Sequence, residues 1–128
     1  MWAVGQASDM TNFGKKAHLT SIIDVWDGYY VARTKAVLDG TWKSTDTWGG
    51  LNTGMLVMAA MNQKIPANVR AEAAQTIADI KSGKLHPFQG PIMNQAGKEM
   101  VPAGSVASDE MLLKMDWYVK GIEGKLPK

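Results

Sequence analysis

The chain has 128 residues, of which 45% are hydrophobic and 20% charged, so it can form one domain with one hydrophobic core. It contains no cysteine, which excludes disulfide scaffolds, thiolate zinc sites and cysteine nucleophiles. The formal net charge is +2 without a basic cluster, which argues against a nucleic-acid binder, and no apolar run reaches the roughly 18 residues of a membrane span.

Three elements are predicted in the first part of the chain. The apolar run Trp2–Gly5 predicts a buried strand that leads into a polar loop. The segment Leu19–Ile23 is rich in β-branched residues and predicts a second strand. Over Trp26–Leu38 the apolar residues return at helical spacing, and Gly40 stands where the end of a helix favours glycine.

The second part of the chain contains five further segments. Met55–Met61 is apolar throughout and is either a strand or a buried helix. Pro66–Ser82 predicts the clearest helix, and Ser108–Ile122 predicts a last helix with good capping residues. Two prolines make His86–Met93 at best an edge strand, and Gly97–Ala107 is typical of a loop. The order of elements predicts an α/β protein with helices on a largely parallel sheet.

The junction between the second strand and the first helix carries candidate chemistry. Asp24 and Asp27 flank this junction, with Trp26 between them. Ligands of open α/β sheets bind beyond the carboxyl ends of strands, where a carboxylate can accept hydrogen bonds from sugar hydroxyls and an indole can stack on a ring. Two other interpretations stay open: one aspartate only caps the helix, or the two carboxylates form an acid/base pair for hydrolysis.

The remaining motifs are weaker. His18 and His86 are the only histidines, and neither has a carboxylate at ligand spacing, so we predict no metal site and interpret both as surface or strand-edge residues. The glycine-rich run Gly49–Gly54 is not followed by the Lys-Ser/Thr pair of a phosphate loop, and no cofactor is predicted. Trp42 and Trp48 lie in a polar loop, where each ring either packs beneath the loop or contacts a ligand.

Four segments occur in a characteristic order: Val4–Met10, Leu19–Asp27, Trp48–Gly54 and Met115–Pro127. In this order they resemble the C-terminal part of the BMP (basic membrane protein) family, whose members are substrate-binding proteins of ABC transporters. The resemblance covers essentially the whole chain. Complete members of the family are much longer, so the resemblance implies a C-terminal portion that lacks the first segments of the N-terminal lobe.

The resemblance implies a type I periplasmic-binding-protein fold, in which the ligand lies in a cleft between two α/β lobes. Residues 1–23 and about 55–128 would belong to the C-terminal lobe, and residues 26–46 to a helical region of the N-terminal lobe. The implied function is that of a solute-binding component of an ABC importer, not an enzyme. It would bind a purine nucleoside or related base and deliver it to a membrane permease, in the periplasm or lipid-anchored at the cell surface.

The same resemblance assigns ligand contacts. Asp27 matches the hinge-side aspartate of the family, which contacts ribose, and Gly5 matches a glycine that allows close backbone approach. Ala7 stands where the family often has an aspartate, and Asn52 stands where it often has lysine, so the exact ligand stays open. The residues predicted to bind ligand are Asp27, Trp26, Asn52, Gly5, Asp9 and Trp48.

Two further expectations follow. A helix of the first lobe that lacks its own sheet would bury Tyr29, Tyr30 and Val37 against another chain, which predicts a homo-oligomer. The alternative to the binding protein is a free-standing flavodoxin-like α/β domain with an enzymatic or regulatory role. That alternative predicts a monomer with a complete sheet.

Overall fold

A computed structural model describes residues 1–127, which divide into two compact units at Gly83. The first unit contains a three-stranded sheet and two helices, and the second contains a two-stranded sheet and one short helix. The predicted mixture of strands and helices is therefore confirmed. Among the described residues, none of the helices combines the length and apolarity that a membrane span requires.

The sheet of the first unit has the strand order β1 (Ala3–Gly5), β2 (His18–Asp24) and β3 (Leu56–Met58). The pair β1 and β2 is parallel, with Gly5 beside Ser21, and the pair β2 and β3 is antiparallel. The sheet is thus mixed, with one parallel and one antiparallel pair. The apolar run Met55–Met61, for which the sequence allowed either a strand or a buried helix, forms a strand over the three residues that pair with β2.

Both helices of the first unit follow the predicted boundaries closely. Helix α1 (Asp27–Leu38) ends before Gly40, whose φ of +68° is the left-handed conformation that glycine adopts without strain. Helix α2 (Ala67–Lys81) begins directly after Pro66, where the fixed φ of proline suits the start of a helix. Neither helix contains a buried residue, so the packing in this unit is centred on the sheet.

The second unit contains a hairpin that the sequence only half predicts. Strand β4 (Ile92–Met93) lies in the predicted edge-strand segment and pairs antiparallel with β5 (Glu99–Val101). The prediction that 97–107 is all loop is wrong at β5. The turn is closed by Asn94, whose side-chain oxygen accepts hydrogen bonds from the backbone N–H groups of Ala96 and Lys98.

The last helix is much shorter than predicted. Helix α3 (Asp109–Leu113) begins as expected, with the Ser108 hydroxyl accepting a hydrogen bond from the Met111 N–H at 3.2 Å. The prediction of a helix as far as Ile122 is wrong because the following backbone bonds to the hairpin instead. The Gln95 N–H donates to the Tyr118 carbonyl at 3.0 Å, and the Lys120 N–H donates to the Met93 carbonyl at 2.8 Å. These tertiary bonds replace helical ones.

Candidate functional site

Three chain segments meet at the carboxyl end of β2. The Asp24 N–H donates to the carbonyl of Ala7 in the loop after β1 at 3.0 Å. The next residue, Val25, donates its N–H to the carbonyl of Met55, in the segment before β3, at 2.9 Å. The loop after β1, the β2–α1 junction and the turn before β3 therefore share one edge of the sheet. This is the edge at which open α/β sheets bind ligands.

The loop after β1 carries two of the predicted residues, Gly5 and Asp9. Gly5 is buried, and a Cβ added to it would lie 2.2 Å from the Ser21 Oγ and 2.9 Å from Met10, so only glycine fits. The Asp9 carboxylate accepts hydrogen bonds on one oxygen from the Thr11 hydroxyl and the Thr11 N–H, at 2.5 and 3.0 Å. These two hydrogen bonds hold the pKa of the Asp9 carboxyl below its usual value of 3.8, and the bond from the Thr11 hydroxyl has the larger effect.

The β2–α1 junction presents Trp26 and Asp27 to solvent. The Trp26 ring is 46% exposed and lies edge-on to Tyr29, with ring centroids 5.8 Å apart, and 6.0 Å from Tyr30. Asp27 is the first residue of α1 and is exposed. The helix is capped at Trp26 without any side-chain hydrogen bond, so the interpretation of Asp24 or Asp27 as a helix cap is wrong. The exposed Asp27 carboxylate therefore lies in the first turn without a capping role.

The turn before β3 carries Trp48 and Asn52. The Thr53 hydroxyl closes this turn, because it accepts a hydrogen bond from the Gly50 N–H at 3.0 Å and lies 3.1 Å from the Gly50 carbonyl. Both predicted residues are exposed, with Trp48 at 52%. An exposed indole, an exposed amide and the carboxylate at Asp27 are the types of side chain that contact a small polar ligand with a ring.

The sequence did not reveal the buried pair His18 and Ser21. His18 was interpreted as a surface or strand-edge residue, but it is 5% exposed, Ser21 is fully buried, and the His18 Nε2 lies 2.7 Å from the Ser21 Oγ. Residues three apart on a strand normally face opposite sides of a sheet. Here the pairing with β1 skips Leu19, and this extra residue changes the facing. The alternation pattern therefore gave no signal for the pair.

Two cavities lie beside the sheet of the first unit. One of about 390 Å³ is lined by residues at both ends of the loop after β1, including Gly5, Met10 and His18. The other, of about 550 Å³, is mainly apolar and lies between the sheet and α2. Trp26 and Asp27 line neither, so they present an open surface. Within residues 1–127, no three His, Asp or Glu side chains are grouped so that they could hold a metal ion.

Comparison with known proteins gives a consistent family assignment. A family model described as "ABC transporter substrate-binding protein PnrA-like" matches residues 1–88, which include all six predicted ligand-binding residues. A purine-binding protein of Brucella abortus is 48% identical over 98% of this chain. A protein of Haloferax volcanii, named as an ABC transporter glucose-binding protein, is 27% identical over 99% of the chain.

A solved structure supports the fold. The crystal structure of a transcriptional activator of the comK gene from Bacillus halodurans matches 67% of this chain with a TM-score of 0.56 and 22% identity. At that identity the likeness concerns the fold alone. The chain spans about a third of the length of the relatives it matches: 36% of the Brucella protein, 30% of the Haloferax protein and 30% of the solved structure.

Proposed function

This chain belongs to the family of PnrA-like ABC transporter substrate-binding proteins, and from that premise we propose that it helps to bind a purine nucleoside or related base for delivery to a membrane permease. The observation that carries the proposal is the meeting of three polar, partly aromatic segments at one sheet edge, fixed by the bonds from Asp24 to Ala7 and from Val25 to Met55. The purine-binding name of the Brucella relative supports the ligand class.

We assign the chain to the C-terminal portion of a two-lobed protein. In this assignment residues 1–23 and about 55–128 belong to the C-terminal lobe, and residues 26–46 supply a helical region to the N-terminal lobe. The segments 24–27 and 47–54 are the crossings between lobes. The absence of any buried residue from α1 supports the assignment, because a helix that packs on the other lobe has no partner within this chain.

Recognition of the ligand uses groups of different chemistry. The Asp27 carboxylate accepts two hydrogen bonds from a ribose-like diol, and charged acceptors make stronger hydrogen bonds than neutral ones. The Trp26 and Trp48 rings offer stacking faces for a base. Asn52 and Asp9 supply polar contacts, and the close packing at Gly5 lets the backbone approach the ligand. Aromatic surface with a few placed polar groups is typical of small-molecule sites.

The family assignment favours the binding protein over the alternative that the sequence left open. Members of this family are substrate-binding proteins, so the free-standing flavodoxin-like enzyme or regulatory module is set aside. The acid/base pair for hydrolysis is set aside with it. As part of this proposal, the two-lobed protein lies in the periplasm or is lipid-anchored at the cell surface, because a permease receives its substrate there.

Calorimetric titration of the two-lobed protein with adenosine, inosine, hypoxanthine and glucose tests the proposal. We expect a purine ligand to bind, and Asp27→Ala to weaken nucleoside binding about tenfold to a hundredfold, or about 1.5–3 kcal/mol. Asp39→Ala is the matched control, since Asp39 is an exposed carboxylate at the other end of α1 whose pair with Lys35 contributes little. Equal affinities for wild type and Asp27→Ala would remove Asp27 from the site, and binding of glucose alone would overturn the purine class.

A further inference from the structure

A chain of hydrogen bonds runs from the interior of the sheet to the loop after β1. The Ser21 Oγ lies 2.7 Å from the His18 Nε2, and the His18 Nδ1 lies 3.4 Å from the Thr11 Oγ1. The Thr11 hydroxyl in turn donates to the Asp9 carboxylate at 2.5 Å. The first two members are buried and the last is exposed. The chain thus links the core of the first unit to a predicted ligand contact.

One set of proton positions satisfies every member of this chain. The Ser21 Oγ accepts a hydrogen bond from the Met10 N–H at 3.1 Å, so its own proton is available for the His18 Nε2. The other ring nitrogen, Nδ1, then carries the proton and donates to the Thr11 hydroxyl, which donates to Asp9. This tautomer of His18 is assigned from the network. Each polar group of the chain has a partner, and each bond has one direction.

The burial of Ser21 determines what the pair can do. A serine hydrogen-bonded to a histidine is the arrangement of a nucleophile and its base, but a nucleophile must be reached by substrate. Ser21 has no exposed surface, and the backbone of Gly5 packs directly over its hydroxyl. The hydroxyl also accepts the Met10 N–H. The pair of His18 and Ser21 therefore stabilises the loop after β1 and does not react with a substrate.

We propose that His18 and Ser21 are positioning residues that hold the loop Gln6–Met10 in its ligand-binding conformation before the ligand arrives. Ser21 accepts the hydrogen bond of the Met10 N–H, and His18 contacts Thr11, which binds Asp9. The Asp24 N–H holds the same loop at a third point, the Ala7 carbonyl. A loop already held in its bound conformation loses less entropy on binding, so affinity is higher. This inference rests on the proposed function, because it assigns the loop to the site for a purine nucleoside.

Hydrogen exchange on the protein without ligand tests the positioning directly. The readout is the exchange rate of peptides that cover residues 6–13. We expect Ser21→Ala and His18→Asn to raise that rate about tenfold, since both variants break the contact between His18 and Ser21. His18→Gln places an amide near the position of Nε2 and should restore protection to within about threefold of wild type.

Thr20→Val is the matched control for general weakening of β2. The Thr20 hydroxyl donates to the Ala59 carbonyl at 2.8 Å, so this variant removes one hydrogen bond from the same strand without touching the loop. We expect lower thermal stability but no change in exchange over residues 6–13. If Thr20→Val and Ser21→Ala raise that exchange equally, or if His18→Gln fails to rescue, the positioning role is overturned. Should Ser21→Ala fail to fold, His18→Asn against His18→Gln decides the question.

Binding measurements complete the test and keep it separate from the proposed function. In the two-lobed protein we expect Ser21→Ala and His18→Asn to weaken nucleoside binding about tenfold, with His18→Gln and Thr20→Val near wild type. Unchanged affinity in both weakened variants, with wild type binding, would overturn the positioning role alone. If wild type binds no purine, the proposed function fails, while the exchange experiment still decides whether His18 and Ser21 hold the loop.

Discussion

Two neighbouring regions of the first unit differ in where their packing partners lie. The region from β1 to β2 contains the buried residues Gly5, His18 and Ser21, and its polar groups bond to one another. Helix α1, which follows directly, buries nothing, and Tyr30 and Val37 are 61% and 60% exposed. The first region has its partners within this chain. The second has the apolar surface of a packed helix without a partner, as expected if it belongs to another lobe.

The contrast also extends to polar groups. Among the described residues, no buried side-chain nitrogen or oxygen atom lacks a hydrogen-bond partner. In the β1–β2 region this satisfaction is achieved by buried bonds, which hold geometry well because they exchange little with water. Helix α1 has no buried residue, and its polar side chains face water, as in the pair between Lys35 and Asp39 at 2.8 Å, which solvent screens. Substitutions in the two regions should therefore have different effects.

The largest effect is expected for Gly5→Ala. The added Cβ would lie 2.2 Å from the Ser21 Oγ and 2.9 Å from Met10, so the loop must move or the contact between His18 and Ser21 must break. We expect a loss of about 3 kcal/mol in the free energy of unfolding, measured by urea denaturation. Gly28→Ala is the control, because nothing lies within 4 Å of its added Cβ and the residue has helical backbone within α1. Equal losses in the two variants would contradict the close packing at Gly5.

The next effect concerns the exposed face of α1. If this face packs on another lobe in the whole protein, the 128-residue chain alone should cover it by self-association. We expect a mass of at least twice 13.9 kDa in sedimentation experiments, and Val37→Glu should weaken association about tenfold, or about 1.4 kcal/mol. Lys35→Glu, on the side of α1 away from Tyr29, Tyr30 and Val37 by helical periodicity, should leave association unchanged. A monomeric wild-type chain at high concentration would contradict the lobe assignment.

A smaller effect of opposite sign is expected at Gly28, within α1. Nothing lies within 4 Å of a Cβ added there, and glycine is the residue that a helix tolerates least after proline. Gly28→Ala should therefore stabilise the 128-residue chain by about 0.5–1 kcal/mol in thermal unfolding. Gly40→Ala should destabilise it by a similar amount, because φ is +68° at that position. If Gly28→Ala also destabilises the chain, α1 is packed and not open.

The sequence predicted the elements that depend on local pattern and missed those that depend on distant bonds. The boundaries of α1 and α2 agree with prediction because helical spacing, Pro66 and Gly40 act within a few residues. The predicted end of the last helix was wrong because the backbone after Leu113 bonds to the β4–β5 hairpin, and local helix propensity takes no account of such distant partners.

The candidate site shows the same division. Asp27 and Trp26 could be selected because a strand-to-helix junction is visible in the sequence. The pair of His18 and Ser21 could not, because its geometry depends on the extra residue Leu19 in the pairing of β1 with β2. The sequence also could not predict that the β2–α1 junction and the turn before β3 are neighbours, since the bond from Val25 to Met55 joins segments that are far apart in the sequence.

The smallest effect is the acid response of the loop after β1. The pKa of Asp9 is lowered chiefly by the hydroxyl of Thr11 and then by its N–H, so the carboxylate favours the folded state. A carboxyl whose pKa is lower in the folded state contributes stability above its unfolded pKa, and that contribution is lost as the pH falls through the folded value. The Asp9 contribution should therefore be complete above about pH 5 and disappear below the lowered pKa.

Thr11→Val separates the two causes of this shift. The variant removes the hydroxyl bond and keeps the N–H bond, so the pKa of Asp9 should rise toward 3.8 without reaching it when measured by carbon NMR titration of the carboxyl. The stability difference between wild type and Thr11→Val should shrink as the pH falls below 3.8, because a protonated Asp9 gains nothing from the lost donor. An unchanged Asp9 pKa in the variant would show that Thr11 does not hold the carboxylate. The link from His18 to Asp9 would then end at Thr11, and Ser21 would hold the loop through Met10 alone.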